Sequence, residues 1–303
     1  MSKIKKTKKT NYIKIILFLL ALIYGYYTSQ IDNTYSLPNV LNTFNESSDI
    51  LTISYLDVGQ ADSILIESNN ENMLIDAGNN EDGEFLVKYF KEKEITKFKY
   101  LVATHPHEDH IGGIDDVINN FEIETFFMSD VITTTKTFTD VLDAMENKNL
   151  TYTVPKIKDK YNLGDATIEV IYTGTNKQEL NNTSIVLRMV YKDVSFLFTG
   201  DTEEKVEKII LNSSLNISSD VLKVSHHGSS SSTSNDFLNK VNPKYAIISV
   251  GTGNSYKHPE DITLNKLNSK NIKVYRTDLD GSIIVTTDGN NININTIKTN
   301  TNG

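Results

Sequence analysis

Short apolar runs separated by turn residues dominate the chain from residue 51 onward. "LTISYLDV" (51–58), "DSILIES" (62–68) and "NMLIDAG" (72–78) predict three strands with an antiparallel opening. "GEFLVKYFKEK" (83–93) has helical spacing, "KYLVAT" (99–104) is a buried-strand run, and "IGGIDDVINN" (111–120) opens a further helix. Later strands are predicted at "ATIEVIYT" (166–173), "SIVLRMVY" (184–191), "VSFLFTG" (194–200), "DVLKVS" (220–225), "KYAIISV" (244–250), "NIKVYRT" (271–277) and "GSIIVTT" (281–287). Helices are predicted at 203–211, 235–241 and 260–269, and no repeat of fixed period is present. About a dozen strands interleaved with helices predict two sheets covered by helices, an α/β (α+β) fold, in place of one parallel sheet.

The N-terminus follows another pattern. Residues 1–10 are basic, and "IILFLLALIYGYY" (15–27) is apolar or aromatic with Lys14 just before it. Such a run is shorter than the roughly 20 residues a membrane span prefers. Snorkelling of Lys14 and interfacial placement of Tyr24, Tyr26 and Tyr27 make a tilted span feasible. Residues 11–27 are thus read as an uncleaved transmembrane anchor, with a cleaved signal segment and an ordinary core helix as alternatives. With the lysines inside, 1–10 is a cytoplasmic tail and the body lies outside the cytoplasm as a single-pass membrane protein, or is secreted if the segment is cut. Residues 28–50, rich in Asn, Ser and Thr, are expected to be a linker, 51–295 the folded domain and 296–303 a tail.

Composition narrows the chemistry. The 303 residues contain no cysteine, which excludes disulfides, thiolate metal sites and a Cys nucleophile, so any metal is held by nitrogen and oxygen. Net charge is −9, and because residues 1–27 hold six lysines and no acid, the rest of the chain stands at −15. A body this acidic has no general attraction for polynucleotide; local basic groups or bound metal would have to supply it.

Half of the six histidines fall within "HPHEDH", residues 105–110. If 100–104 is a strand, His105 and His107 continue it and, two apart, point to one side. Asp109 and His110 follow where the chain turns into a helix, and Gly112 and Gly113 let another backbone come close. Three imidazoles and a carboxylate facing one another are costly without a cation, so the pattern points to metal ions.

This His-x-His-x-Asp-His motif resembles the signature of the metallo-β-lactamase superfamily, which implies a four-layer αββα sandwich. The resemblance places a metal-bridging aspartate at Asp201, ending "VSFLFTGD", and a last histidine ligand in "VLKVSHHGS". His226 is taken as that ligand and His227 as a supporting or catalytic group, with a slip by one residue left open. Where most of the superfamily has another histidine, Asn182 stands, a weaker ligand. "YLDVGQADSILIES", "LIDAG", "LVATHPHEDHIGG", "NNTSIVLRMVYKDVSFLFTGD", "LKVSHHGSSSSTS" and "NSYKHPEDITLNKL", in that order, resemble the hydrolase domain of ComEC-type competence proteins.

The resemblance implies two divalent ions, zinc first and manganese second. His105, His107 and Asn182 would hold one, Asp109, His110 and His226 the other, and Asp201 would bridge them. Ions so placed ionise a water and polarise a scissile oxygen. Asp76 is expected to orient a ligand histidine. Asp109 and His227 count among the catalytic groups, and His258 is a candidate proton donor to a leaving group or a surface loop residue. Asp57 and Gln60 either belong to the site or shape their turn. "GTGNS" lacks phosphate-loop spacing, "DLDG" lacks the later glutamate of a calcium loop, and no G-x-S-x-G occurs. The expected function is metal-dependent hydrolysis, with a phosphodiester foremost and DNA its specific form. A cell-envelope polymer is the alternative substrate, and a non-catalytic module of DNA uptake the alternative class.

Overall fold

The computed structural model describes residues 49–298. The expected basic tail, the anchor or signal segment and the linker up to residue 48 lie outside the described residues, as do residues 299–303. Among the described residues no helix is long and apolar enough to cross a membrane.

Six strands build most of a first sheet: β1 (Leu51–Tyr55), β2 (Ser63–Ser68), β3 (Glu71–Ala77), β4 (Lys97–Ala103), β5 (Glu122–Met128) and β6 (Tyr152–Thr153). The next seven form a second: β7 (Lys160–Leu163), β8 (Ala166–Tyr172), β9 (Val186–Tyr191), β10 (Val194–Phe198), β11 (Val221–Lys223), β12 (Tyr245–Ile248) and β13 (Lys273–Arg276). The chain then returns to the first sheet with β14 (Ser282–Thr287) and β15 (Ile292–Ile297), giving the orders β15-β14-β1-β2-β3-β4-β5-β6 and β13-β12-β11-β10-β9-β8-β7.

Side-chain alternation explains the layering. In β3 and β4, Met73, Ile75, Tyr100 and Val102 enter a core shared with β9 and β10 of the other sheet, through Leu187, Met189 and Phe196. Their neighbours Leu74, Leu101 and Ala103 face the opposite way, onto Leu86 and Phe90 of the helix Gly83–Glu92 and Phe138 and Val141 of the helix Lys136–Lys148. On the second sheet Leu197, Leu222 and Ile248 meet Val206, Phe237 and Leu267 from three further helices. Strands with two apolar faces need cover on both, so two sheets and two helical layers result.

The described domain starts at β1, at Leu51, and β15 runs to Ile297, two residues past the expected limit of 295. The helices Glu204–Leu211, Asn235–Val241 and Asp261–Ser269 lie where their apolar spacing predicts. Several elements have no counterpart in the sequence reading: β5, β6, β7, β15 and the helix Lys136–Lys148. That helix has ordinary signals, a Thr135 side-chain cap on the Phe138 amide and a left-handed Asn149 at its end. β15 alternates Ile with Asn at the sheet's edge and is half exposed, so its apolar content is low.

Both sheets send the ends of parallel strands to one place. β3, β4 and β5 run parallel, as do β10, β11, β12 and β13. Carboxyl ends of parallel strands are where loops converge in open sheets, and the histidine motif follows β4 directly. The paired glycines after it serve close approach: the Gly112 amide donates to Gly78 O at 2.9 Å and the Gly113 amide to Ala77 O at 3.1 Å. A Cβ on Gly112 would stand 2.1 Å from the carbonyl carbon of Asn79.

Gly112→Ala is therefore expected to lower stability by about 3 kcal/mol, the upper part of the range for overpacking. Urea denaturation checks it; a midpoint unchanged from the parent would mean the backbones do not meet.

Candidate metal centre

Each side chain of the cluster comes from a strand end or the turn beyond it. His105, His107, Asp109 and His110 follow β4, Asp201 follows β10, and His226 and His227 follow β11. Asp76 stands near the end of β3 with φ +58°, and His226 and His227 both have φ near +50°. Left-handed backbone at non-glycine residues costs on the order of 1–3 kcal/mol each and is retained where surrounding structure fixes it. Here the turn at 226–228 aims two successive imidazoles in different directions, which a strand's alternation would not do alone.

The larger of two groups among the described residues comprises Asp109, His110, Asp201 and His227, with one ligand atom from each lying within 4.8 Å of all the others; Asp62, Asp76 and His110 form the second. His110 Nε2 is 3.3 Å from Asp201 Oδ2 and 3.8 Å from Asp109 Oδ2. His227 Nε2 is 3.2 Å from Asp109 Oδ2 and 3.5 Å from Asp201 Oδ2. His227 Nδ1 lies 2.9 Å from the carbonyl of Ser249, which can only accept, so Nδ1 carries a proton and Nε2 faces the cluster. His110 Nδ1 meets Asp76 Oδ2 at 2.8 Å, and Asp76 is held in turn by the Thr104 amide and hydroxyl. His105 Nε2 and His107 Nδ1 approach to 3.0 Å beside this group, with the His105 and His110 rings 4.1 Å apart.

Two residues differ from their expected places. The amide of Asn182 is spent on Glu203: its oxygen accepts from the Glu203 backbone amide at 3.0 Å and its nitrogen donates to Glu203 Oε2 at 2.9 Å. Asn181 instead reaches the histidines, with Nδ2 at 3.4 Å from His226 Nε2 and a buried Oδ1 that has no hydrogen-bond partner. His226 sits at the rim, 4.0 Å from Asp201 Oδ2 and beside Glu203, while His227 occupies the inner position. The geometry therefore brings His227, the neighbour of the expected ligand His226, into the cluster. Both shifts are of one residue, because helical or left-handed turns, not strands, set which neighbour faces inward.

Asp57 accepts from the Gly59 amide within its own turn, and Gln60 accepts from the Gly251 amide; neither is brought to the cluster. Burial pushes the Asp57 carboxyl up. His258 lies with its ring 5.5 Å from that of His226 and has a buried Nδ1 without a partner. Two residues went unnoticed in the sequence. Asp62 places Oδ1 at 3.6 Å from His227 Nδ1, and Lys223, fully buried at the end of β11, puts Nζ 2.7 Å from Asp62 Oδ2. An acid opening an apolar strand and a lysine closing one were their only signals.

Titration follows from these neighbours. Burial works against charge on His110 and His227, but Asp201 and the other carboxylates override it and hold both imidazoles above their ordinary value, His110 well above. Burial of Asp201 and partial burial of Asp109 would raise them, yet His110 and His227 hold both well below the usual carboxylate range. Burial lowers His105 and His107, the former strongly.

The residues fit divalent cations on the structure's own terms. Asp201 Oδ1, His110 Nε2, Asp62 Oδ1 and Asn181 Oδ1 are buried without a hydrogen-bond partner, and nitrogen with carboxylate oxygen is a donor set suited to zinc or manganese.

A family model, the metallo-beta-lactamase superfamily, matches residues 56–252. The chain belongs to this superfamily. It is similar to ComE operon protein 3 of Bacillus subtilis, 30% identical over 250 residues, covering 76% of this chain and 32% of the relative. It is similar also to competence protein ComA of Neisseria gonorrhoeae, 29% identical over 242 residues, covering 76% and 31%. The chain thus spans about a third of the length of these relatives. Among solved structures, Igni18, a metallo hydrolase of Ignicoccus hospitalis, superposes with TM-score 0.50 at 15% identity, covering 77% of this chain and 98% of that one; the likeness is one of fold. By family and fold the chain is a metallo-beta-lactamase superfamily domain with a candidate His/Asp metal site.

Lys223→Met leaves Asp62 buried and unpaired, so a loss of about 3–5 kcal/mol is expected by urea denaturation, most of it recovered when Asp62→Asn is added. Equal stability of the single variant would mean the pair is hydrated.

A pH dependence also follows. The raised values of His110 and His227 stabilise the metal-free fold fully below their ordinary 6.5 and fade as pH climbs through the folded values. His105 and His107, lowered, act only below 6.5 and do not offset this. Melting temperature in chelator should fall from pH 6.5 upward, and added zinc should remove the fall by replacing the protons. A chelated profile that rises through this window contradicts the assignment.

Proposed function

We propose that this domain hydrolyses phosphodiester bonds, with DNA as the substrate form. The observation that carries the reading is the Asp109–His110–Asp201–His227 cluster, in which the buried Asp201 Oδ1 and His110 Nε2 have no hydrogen-bond partner. Asp109, His110, Asp201 and His227 would hold one divalent ion, and His105 and His107, with Asp201 between, a second. Ions bound there supply Lewis acidity, lowering the pKa of water and polarising the phosphoryl oxygens.

The chain's own groups do the rest. Asp76 keeps a proton on His110 Nδ1, and the Ser249 carbonyl keeps one on His227 Nδ1, so each ring turns a lone pair toward the cluster. His258, whose ring lies 5.5 Å from that of His226, would be the group that passes a proton to the leaving oxygen. A relative named for competence, ComA, favours DNA over other phosphodiesters. The acidic body favours a second reading, a phosphodiester of the cell envelope, because such a polymer needs no extended basic surface. Residues 11–27 would tether the domain to the cell membrane with its site outside the cytoplasm.

The test uses the full chain, stripped with chelator and reloaded with zinc or manganese, on bis-p-nitrophenyl phosphate, single-stranded DNA and a glycerol-phosphate polymer. Asp109→Ala should reduce turnover at least about a hundredfold while the protein stays folded. DNA cleavage supports the first reading and polymer cleavage alone the second. A protein that binds no metal, or an Asp109→Ala variant as active as its parent, leaves a non-catalytic module of DNA uptake.

A further inference from the structure

A row of three rings leads from the metal cluster to solvent. His226, 4.0 Å from Asp201, packs edge-on against His258 with centroids 5.5 Å apart and planes at 76°. His258 is stacked by Tyr256 at 5.7 Å and 23°. Tyr256 is 67% exposed, and among the described residues it is the one aromatic side chain so open to solvent.

The loop that carries it is organised. The Asn254 side chain donates to the carbonyls of Gly251 (2.9 Å) and His258 (2.7 Å) and accepts from the His258 amide at 3.0 Å. Gln60 of the opposite loop accepts from the Gly251 amide at 3.1 Å. Exposing a large ring costs hydrophobic free energy, and fixing its loop costs entropy; neither helps the fold. A planar ligand lying on the ring would recover the first cost and use the second. Lys257, exposed on the same loop, adds positive charge in an acidic body.

We propose that Tyr256, backed by His258, is a stacking platform for a nucleobase of single-stranded nucleic acid, flanking the phosphate presented to the metal cluster. The proposal rests on the phosphodiesterase reading and narrows it. A polyol-phosphate chain has no flat group to stack, whereas every base does. Paired bases in a duplex bury both faces, so the platform selects unpaired strands.

The test measures binding by fluorescence anisotropy, using the zinc-loaded full chain and phosphorothioate strands to suppress cutting. Oligothymidylate is compared with an abasic strand of equal length. Tyr256→Ala should weaken oligothymidylate binding about tenfold or more and leave the abasic strand unchanged, while Tyr256→Phe binds like the parent. Equal losses on both strands, no loss on either, no measurable binding of oligothymidylate, or displacement of it by glycerol-phosphate polymer irrespective of Tyr256, each overturns the proposal. The two readings fail separately. Base-dependent binding without any phosphodiester turnover keeps the platform and removes the hydrolase; Asp109-dependent cleavage indifferent to Tyr256 does the opposite.

Discussion

Charge balance in a buried cluster is the constraint on which the arrangement depends. Asp62, Asp76 and Asp201 are almost fully buried, Asp109 joins them from the rim, and one permanent cation, Lys223, is buried among them. Four carboxylates against one ammonium would be strongly destabilising, so without metal the deficit falls on His110 and His227, which hold protons beyond their usual range. Divalent cations answer the same need better, because each brings two charges and takes lone pairs that protons would otherwise occupy. The protein is thus built around a charge that its own side chains supply only in part.

The rest of the sandwich reads as the means of holding that pocket. Parallel strands in each sheet deliver their ends to one side, and the apolar core between the sheets fixes the ends against each other. Glycines at 112 and 113 let the helix after the motif press onto the loop after β3, which brings Asp76 under His110. Gly228 continues the left-handed turn of His226 and His227, and a Cβ there would stand 2.5 Å from Cβ of Pro259, one residue beyond His258. Close backbone packing and ring placement are therefore one feature.

What was legible in the sequence divides along physical lines. Residues of a rare type concentrated at a strand end, as in 105–110, stand out because burial of several imidazoles has few explanations. Helices such as Glu204–Leu211 were legible from their apolar period, since that period is the burial itself. The choice between Asn181 and Asn182, or between His226 and His227, was not, because each pair lies in a turn whose φ and ψ decide the inward neighbour. Asp62 and Lys223 resemble any acid at a turn and any lysine at a strand end. Only the tertiary fold reveals that both are buried and paired.

Acidity of the body and the proposed phosphodiester substrate pull against each other, and under that reading the conflict would be resolved locally at the site. Most proteins that hold nucleic acid do so through extended basic surface and counterion release, which a body at −15 does not offer. Attraction must then come from contacts within a few ångströms of the scissile group: divalent charge at the cluster, and flat rings whose stacking is indifferent to net charge. His226 and His258 join these two sources, one ring touching the cluster's rim and the other carrying Tyr256. Under the proposed reading such a site would hold a strand only beside the cluster, and the net negative charge of the body would repel the remainder of the polymer, so short contact and ready release would follow together.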